Sequence, residues 1–504
     1  MIRLLQKYFF LILPFIFIFV SSIYKPYDAD LGWHLKYGEH FIKTGQILKE
    51  NTFSSEMPGF IWANTSWGTD ILTHLFYNTG GFFGISILGA IVITLTFFIY
   101  SKAFKLTFFE QAIIFPLVVL FENPVNQVSF RGQLLSLMFL GILLVLLTRY
   151  EEGKKKLLFL SIPLFLIWAN MHGQYILGLG IFLLWIFFYL LKKYLLDKTS
   201  VKIFLAENLK DIKLFTSVFL GSLIATFIHP FGIEIYAVAL RHFSNPDLKS
   251  VMEYLPFDDL SQPWWNQMII AIIFLFGILT LFFTDKLKEK LPYVGISTVL
   301  YSLSWYVRRY AWAMYYTAFP LIQPVANFLK PDSEKATKIT ATVLFIFYIG
   351  IVFMFKYPFT QFTSMNWDVF CQDYLGCSPK SVEFLINNKL DKDLLTFYNW
   401  GGYIIWNYPQ IKPSIDGRMH LWIDNKGYSA FSYYYPFEQN LEDIDQSKYN
   451  AVLISQEKPL YDRLTELTEE KKWKHVYEDE KAAVFVRNIP EYQNLYSIGI
   501  NENP

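Results

Sequence analysis

The chain reads as a polytopic α-helical membrane protein, about eleven transmembrane helices followed by a C-terminal extracytoplasmic α/β domain. Three observations predict this. Of 504 residues, 53% are hydrophobic and only 17% charged, whereas a soluble globular protein carries about 25% charged residues. The apolar residues come in long runs such as "FLILPFIFIFV", "IIAIIFLFGILTLFF" and "ITATVLFIFYIGIVFMF", near the ~20 residues that a bilayer core demands of a helix. After residue 357 those runs cease, and 358–504 is a mixed stretch long enough for one soluble domain. The expected division is therefore a helical domain over 1–357, with a first outer loop at 25–81, and a tail domain over 358–504.

The elements follow in order. "MIRLLQKYFFLILPFIFIFVSSIY" begins basic and carries a short apolar run, a pattern shared with signal peptides. Val20 and Ser22 would suit a cleavage site, but an uncleaved anchor is preferred because the following segment reads as tied to it. Apolar runs bounded by charges or turn residues place spans at 8–24, 82–101, 107–121, 134–148, 157–170, 175–191, 214–229, 266–284, 291–306, 311–328 and 338–356. Many Tyr and Trp sit at the ends of these runs, where interfacial rings belong.

Lysine placement orients the bundle. With the N-terminus inside, the inner loops are "SKAFK", "RYEEGKKK", "KKYLLDKTSVKIFLAENLKDIK", "DKLKEK" and "KPDSEKATK", each lysine-rich as the positive-inside rule requires. An odd number of spans then puts the tail outside. The same face collects Asp28, Asp30, His34, Trp67, Asp70, Arg131, Asn170, His172, His229, Glu253, Arg308 and Arg309. Nearly every chemically versatile side chain thus lies on one side. Cys371 and Cys377 also fall there, where an oxidising compartment permits a small disulfide loop; two free thiols are the alternative. The net charge of +1 provides no basic footprint for nucleic acid.

Asp28 and Asp30 open the stretch "YDADLGWHLKYGEH". An aspartate there is a natural N-cap for a helix lying on the membrane. It is equally a general base or a metal ligand for an optional Mg or Mn ion, since paired carboxylates split their pKa values. His34 lies one turn after Asp30, so both side chains can point the same way. Arg131, Arg308 and Arg309 flank spans at the outer end, where arginines either snorkel or hold phosphate oxygens with the guanidinium fork. Asn170 and His172 interrupt "LFLIWANMHGQYILGLG", at a depth where polar groups face a cavity or a partner. "FIHPFGIEIYAVALRHF" reads as an interfacial helix. In the tail, "LLTFYNWGGYIIW", "KPSIDGR", "NAVLIS" and "KAAVFVRN" read as short strands separated by helical or turn segments. No dinucleotide fingerprint, P-loop, zinc spacing or nucleophile elbow is present.

"DADLGWHLKYGEHFIKTGQILKENTFSS" resembles the first outer loop of bacterial membrane proteins in the GT-C superfamily of glycosyltransferases. "WANMHGQYILGLG", "HPFG" and "YNWGGYIIW…SIDGR" resemble later blocks of the same group, in the same order. The resemblance implies a multi-span enzyme of the bacterial plasma membrane that uses a polyprenyl-phosphate-linked sugar on the outer face. It also implies a general base in the first outer loop, at Asp28 or Asp30. The chain departs from the group at "NTSWGTD", residues 64–70, where a His-Glu-Trp-like run is expected, so no role for that loop is carried over. Nucleotide sugars are cytoplasmic, so a donor reaching the versatile face must be lipid-linked.

The resulting expectation is an inverting transfer to an envelope glycan, lipid or protein acceptor. Asp30 or Asp28 takes the acceptor proton, with His34 beside them. Arg131, Arg308, Arg309, Asn170 and His172 bind the lipid phosphate and donor. Trp400, Asp416 and Arg418 contact the acceptor. The rival classes are a glycolipid transporter or flippase, a non-catalytic member of an envelope complex, and an envelope-glycan polymerase or ligase. A transporter needs charged or broken helices at the membrane midplane, whereas the polar residues here crowd one end.

Overall fold

The computed structural model describes residues 2–122, 129–244, 254–256, 264–356 and 365–495. Glu253 lies outside the described residues. The chain forms two compact units. A helical unit comprises Met1–Lys25, Phe83–Ile235 and Leu248–Thr360; a mixed unit comprises Pro26–Phe82, Tyr236–Asp247 and Gln361–Pro504. The boundary near 357 thus reappears, but the first outer loop belongs with the tail in one unit.

Among the described residues four helices are long and apolar enough to cross a membrane: Trp67–Ala103, Gly132–Glu151, Tyr175–Asp197 and Glu334–Phe355. Tyr8–Ser21, Phe108–Phe121 and Met268–Phe283 are shorter apolar helices. Together they make a multi-pass membrane protein. Glu334–Phe355 is the clearest case: Phe345 packs against Phe17 and Phe108, but Val343, Phe347 and Phe355 on its other side are exposed, which water would penalise and lipid would not.

Two of the expected spans are not single helices. The stretch 157–170 is a 3-10 turn, Lys155–Leu160, followed by Ser161–Met171. The stretch 311–328 is broken into Arg309–Thr317 and Phe319–Phe328. Pro320 explains the second break: it donates no N–H, and its ring clashes with the carbonyl four residues back. Within Trp67–Ala103 two helical segments meet at Gly81, whose φ of 57° and ψ of −145° lie in a region essentially restricted to glycine.

The mixed unit contains a four-stranded sheet of order β1-β2-β4-β3, with β1 Leu394–Thr396, β2 Ala451–Ser455, β3 Trp473–Glu478 and β4 Ala482–Arg487. β1 and β2 are parallel, and the other pairs antiparallel. "LLT", "AVLIS" and "AAVFVR" form strands as expected; two other segments do not. "GGYIIWN" is the helix Gly401–Asn407, because its buried Trp400, Tyr403 and Ile404 repeat at helical spacing. "KPSIDGR" is a loop. Pro413 lacks a ladder donor, and Ser414 reaches β1 instead: its hydroxyl accepts from the Thr396 N–H at 2.9 Å, and its N–H donates to Thr396 Oγ1 at 3.0 Å. β3 was hidden by Lys474, His475 and Glu478, which break its apolar run.

The core of this unit runs through both of its parts. Trp33, Tyr37 and Trp62 pack with Trp400, Ile404, Met419, Trp422 and the sheet. Cys371 and Cys377 are disulfide-bonded and buried.

Candidate active site

Helix Leu31–Thr44 positions the acidic pair. Asp28 Oδ1 accepts the backbone N–H of Asp30 at 3.0 Å, a turn that leads the chain into the helix. Asp30 occupies the N-cap position but makes no side-chain capping hydrogen bond. Its carboxylate lies against Gly417 so closely that a Cβ at 417 would overlap it. Two further glycines close the approach: a Cβ at Gly32 would meet the Gly402 carbonyl, and one at Gly402 would meet that of Ala29. Three glycines thus bring "DADLGWH", "NWGG" and "SIDGR" into one site. Asp28 is buried and carries the turn, while Asp30 is half-buried.

His34 is the second component. Its Nδ1 meets Asp70 Oδ1 at 2.6 Å, and the other Asp70 oxygen accepts from Asn64 Nδ2 at 2.6 Å. Asp70 is completely buried, and the His34 ring stacks on Trp33 at 3.6 Å. This arrangement fixes the imidazole with Nδ1 on a carboxylate, as in a carboxylate–histidine pair. Residues 64–70, to which the resemblance gave no role, therefore supply Asp70, which holds His34, and Asn64, which holds Asp70.

Burial opposes charging His34, but Asp70, with the added fields of Asp28 and Asp30, outweighs it and raises the pKa above the usual histidine value. A raised folded-state pKa contributes stability that is full below the unfolded value of about 6.5 and lost as pH rises through the folded one. Raising pH from about 6 to about 8 should then lower the Tm of the wild type more than that of His34→Gln. Differential scanning fluorimetry checks this; equal slopes would mean a neutral His34.

Asp416 and Arg418 form a buried, bidentate ion pair. Arg418 Nε and Nη2 each donate to Asp416, both at 2.7 Å. Nη2 also donates to Asn51 Oδ1 at 3.1 Å, and the Ser54 hydroxyl donates to Asp416. The guanidinium lies 4.9–5.2 Å from the ring centroids of Phe53, Trp62 and Trp422. The pair binds the 51–62 loop to the tail, so both residues are structural and neither is placed to meet an acceptor. Trp400 is also corrected: it is 1% exposed, and its indole N–H donates to the Leu375 carbonyl at 3.1 Å.

The helical unit holds the remaining candidates. Ser136 Oγ accepts from Trp168 Nε1 at 2.9 Å and meets His172 Nδ1 at 2.8 Å. The His172 ring lies on Gly132, the residue after Arg131. Ser136, Trp168, Gln174, Arg309 and Trp312 line a cleft of about 280 Å³. Arg309 donates to the Tyr254 hydroxyl and stacks on Tyr254 and Trp312. Arg309 therefore lines this cleft, and His172 meets one of its lining residues, Ser136. The other two candidates serve the backbone. Asn170 Nδ2 donates to the carbonyls of Leu166 and Ile228, at 2.8 and 2.9 Å, and Arg308 Nη2 reaches the Pro256 carbonyl at 3.4 Å.

Among the described residues no group of three or more His, Cys, Asp or Glu side chains is arranged to hold a metal ion. Among those residues Asp28 and Asp30 have no third such side chain grouped with them, and no chemical step is routed through Mg or Mn. No protein-family model and no curated protein matches the chain.

Sequence reasoning missed Asn64, Ser136, Gln174 and the three glycines, and it gave Asp70 no role. Asp70 carried one signal, a carboxylate in the first turn of a helix that follows a turn-rich loop. Ser136 lies one turn after Gly132 in helix Gly132–Glu151.

Proposed function

We propose that this protein is a membrane glycosyltransferase, moving a sugar from a polyprenyl-phosphate donor to an envelope glycan, lipid or protein acceptor. The observation that supports it best is Asp30, a carboxylate at a helix start that does no capping and is kept in place by three glycines beside a carboxylate-held histidine. In this mechanism the acceptor hydroxyl oxygen attacks the anomeric carbon and its proton passes to Asp30. The carbon–oxygen bond to the lipid phosphate breaks, and the phosphate leaves with the electron pair. His34, charged and held by Asp70, orients the acceptor by hydrogen bonding. In the helical unit, the Arg309 cleft with His172 and Arg131 binds phosphate oxygens, where negative charge develops.

The eleven-span arrangement, with the N-terminus inside and the mixed unit outside the bacterial plasma membrane, is part of this proposal. Cysteine substitutions at Gly153 and Gly427, probed with an impermeant maleimide on intact cells, test it: only the second should react.

The activity is tested on purified protein in nanodiscs, offered a panel of polyprenyl-phosphate sugars and crude envelope acceptors. Release of free polyprenyl phosphate, followed by mass spectrometry, supports transfer. Donor that binds without being consumed would favour transport instead. Arg309→Gln removes charge-assisted hydrogen bonds of about 1.5–3 kcal/mol, so kcat/KM for the donor should fall roughly 10- to 100-fold, with KM rising. An unchanged donor KM would remove Arg309 from the phosphate site.

A further inference from the structure

Glu122 follows helix Phe108–Phe121 directly and is fully buried, at 0% exposure. Among the described residues neither of its carboxylate oxygens has a hydrogen-bond partner. Among the described residues the titratable groups that face it are Tyr100, Tyr315 and Tyr316, with no cation. The Tyr100 hydroxyl also has no hydrogen-bond partner, and its ring lies 4.7 Å from that of Tyr316. Aromatic rings therefore crowd a carboxylate that is neither paired nor solvated. An isolated ionised carboxylate is too costly in such a medium, and such groups neutralise instead. Glu110, on the same helix, is a contrast. It is buried too, but its oxygens accept from the Thr107 N–H at 2.7 Å and from Asn327 Nδ2 at 3.0 Å.

An apolar cleft of about 310 Å³, lined by Val118, Phe121, Ile270, Phe274, Met314 and Tyr315, begins at the residue before Glu122. Its lining side chains offer no charge to an ion.

We propose that Glu122 is a proton-binding site of the helical unit, its carboxyl neutral in the folded protein and reactive towards an apolar carbodiimide. In that reaction the carboxyl oxygen bonds to the central carbon of the N=C=N group and the proton moves to one of its nitrogens. The adduct then rearranges to an N-acylurea, with no leaving group and no change of oxidation state. An ionised carboxylate brings no proton and does not add. The site is separate from the proposed transfer chemistry and holds whether or not that chemistry is correct.

The test treats the full chain in nanodiscs with dicyclohexylcarbodiimide and maps adducts by peptide mass spectrometry. One adduct per chain is expected at Glu122, lost in Glu122→Gln and absent from Glu110. A water-soluble carbodiimide should leave Glu122 unmodified. Mapping on the wild type decides the matter even where the variant folds poorly. Absence of an adduct at Glu122 overturns the proposal. So does labelling suppressed by sodium chloride but not by choline chloride, which would make the occupant a metal cation.

Discussion

Asp30→Asn is expected to remove acceptor transfer almost completely, lowering kcat by about 10²–10⁴-fold, the usual contribution of a positioned general base. The melting temperature should change far less than turnover, because asparagine has the same shape. Asp28→Asn should behave in the opposite way. Its remaining oxygen still accepts the Asp30 N–H, so the turn survives with a weaker, uncharged acceptor, at a cost of about 1 kcal/mol, and turnover stays within about tenfold of wild type. Gly417→Ala supplies an independent check, since its Cβ would occupy the space of the Asp30 carboxylate. It should lose turnover while Asp30 is still present. Release of polyprenyl phosphate per folded molecule is the measurement. Equal losses for Asp28→Asn and Asp30→Asn would point to a shared electrostatic role rather than one base. Losses confined to Tm would make the stretch a helix cap and nothing more.

That contrast between two neighbouring aspartates was not visible in the sequence, for a physical reason. Both precede the same helix and both suit an N-cap, and only the tertiary position of Gly417, 387 residues after Asp30, distinguishes them. Of the eleven spans that hydropathy expects, four appear among the described residues as helices long and apolar enough to cross a membrane, and three more as shorter apolar helices. Hydropathy failed at 311–328, where Pro320 breaks the helix without breaking the apolar run. In the tail, short apolar runs left helix and strand undecided for "GGYIIWN", while charged residues concealed β3. His34 was legible one turn after Asp30. Asn64 was not, because it joins Asp70 across a turn with no periodicity to announce it. The arginines divided in the same way: Arg309 faces a cleft and Arg308 a backbone carbonyl, a difference of one residue that only the helix start at 309 creates.

Arg418→Met should produce the largest loss of stability in the chain. It leaves Asp416 buried at 0% exposure without its bidentate partner, and breaking a buried pair from one side costs about 3–5 kcal/mol. The change also removes contacts with Phe53, Trp62 and Trp422, so the 51–62 loop should loosen first and become a site of proteolysis. The pH dependence distinguishes electrostatics from packing. Burial opposes the charge on Asp416, but Arg418 and the hydrogen bonds from Arg418 and Ser54 outweigh it and hold the carboxyl below the usual range. A depressed folded-state pKa contributes stability present above the unfolded value of about 3.9 and lost as pH falls through the folded one. The wild type should therefore lose Tm steeply below about pH 4. In Arg418→Met burial is opposed only by the Ser54 hydroxyl and the backbone N–H of residue 418, so acid should cost less than in the wild type. Asp416→Asn combined with Arg418→Met should recover part of the single-variant loss, since no unpaired charge remains. A double variant no more stable than Arg418→Met alone would assign the loss to arginine packing against its three aromatic rings instead.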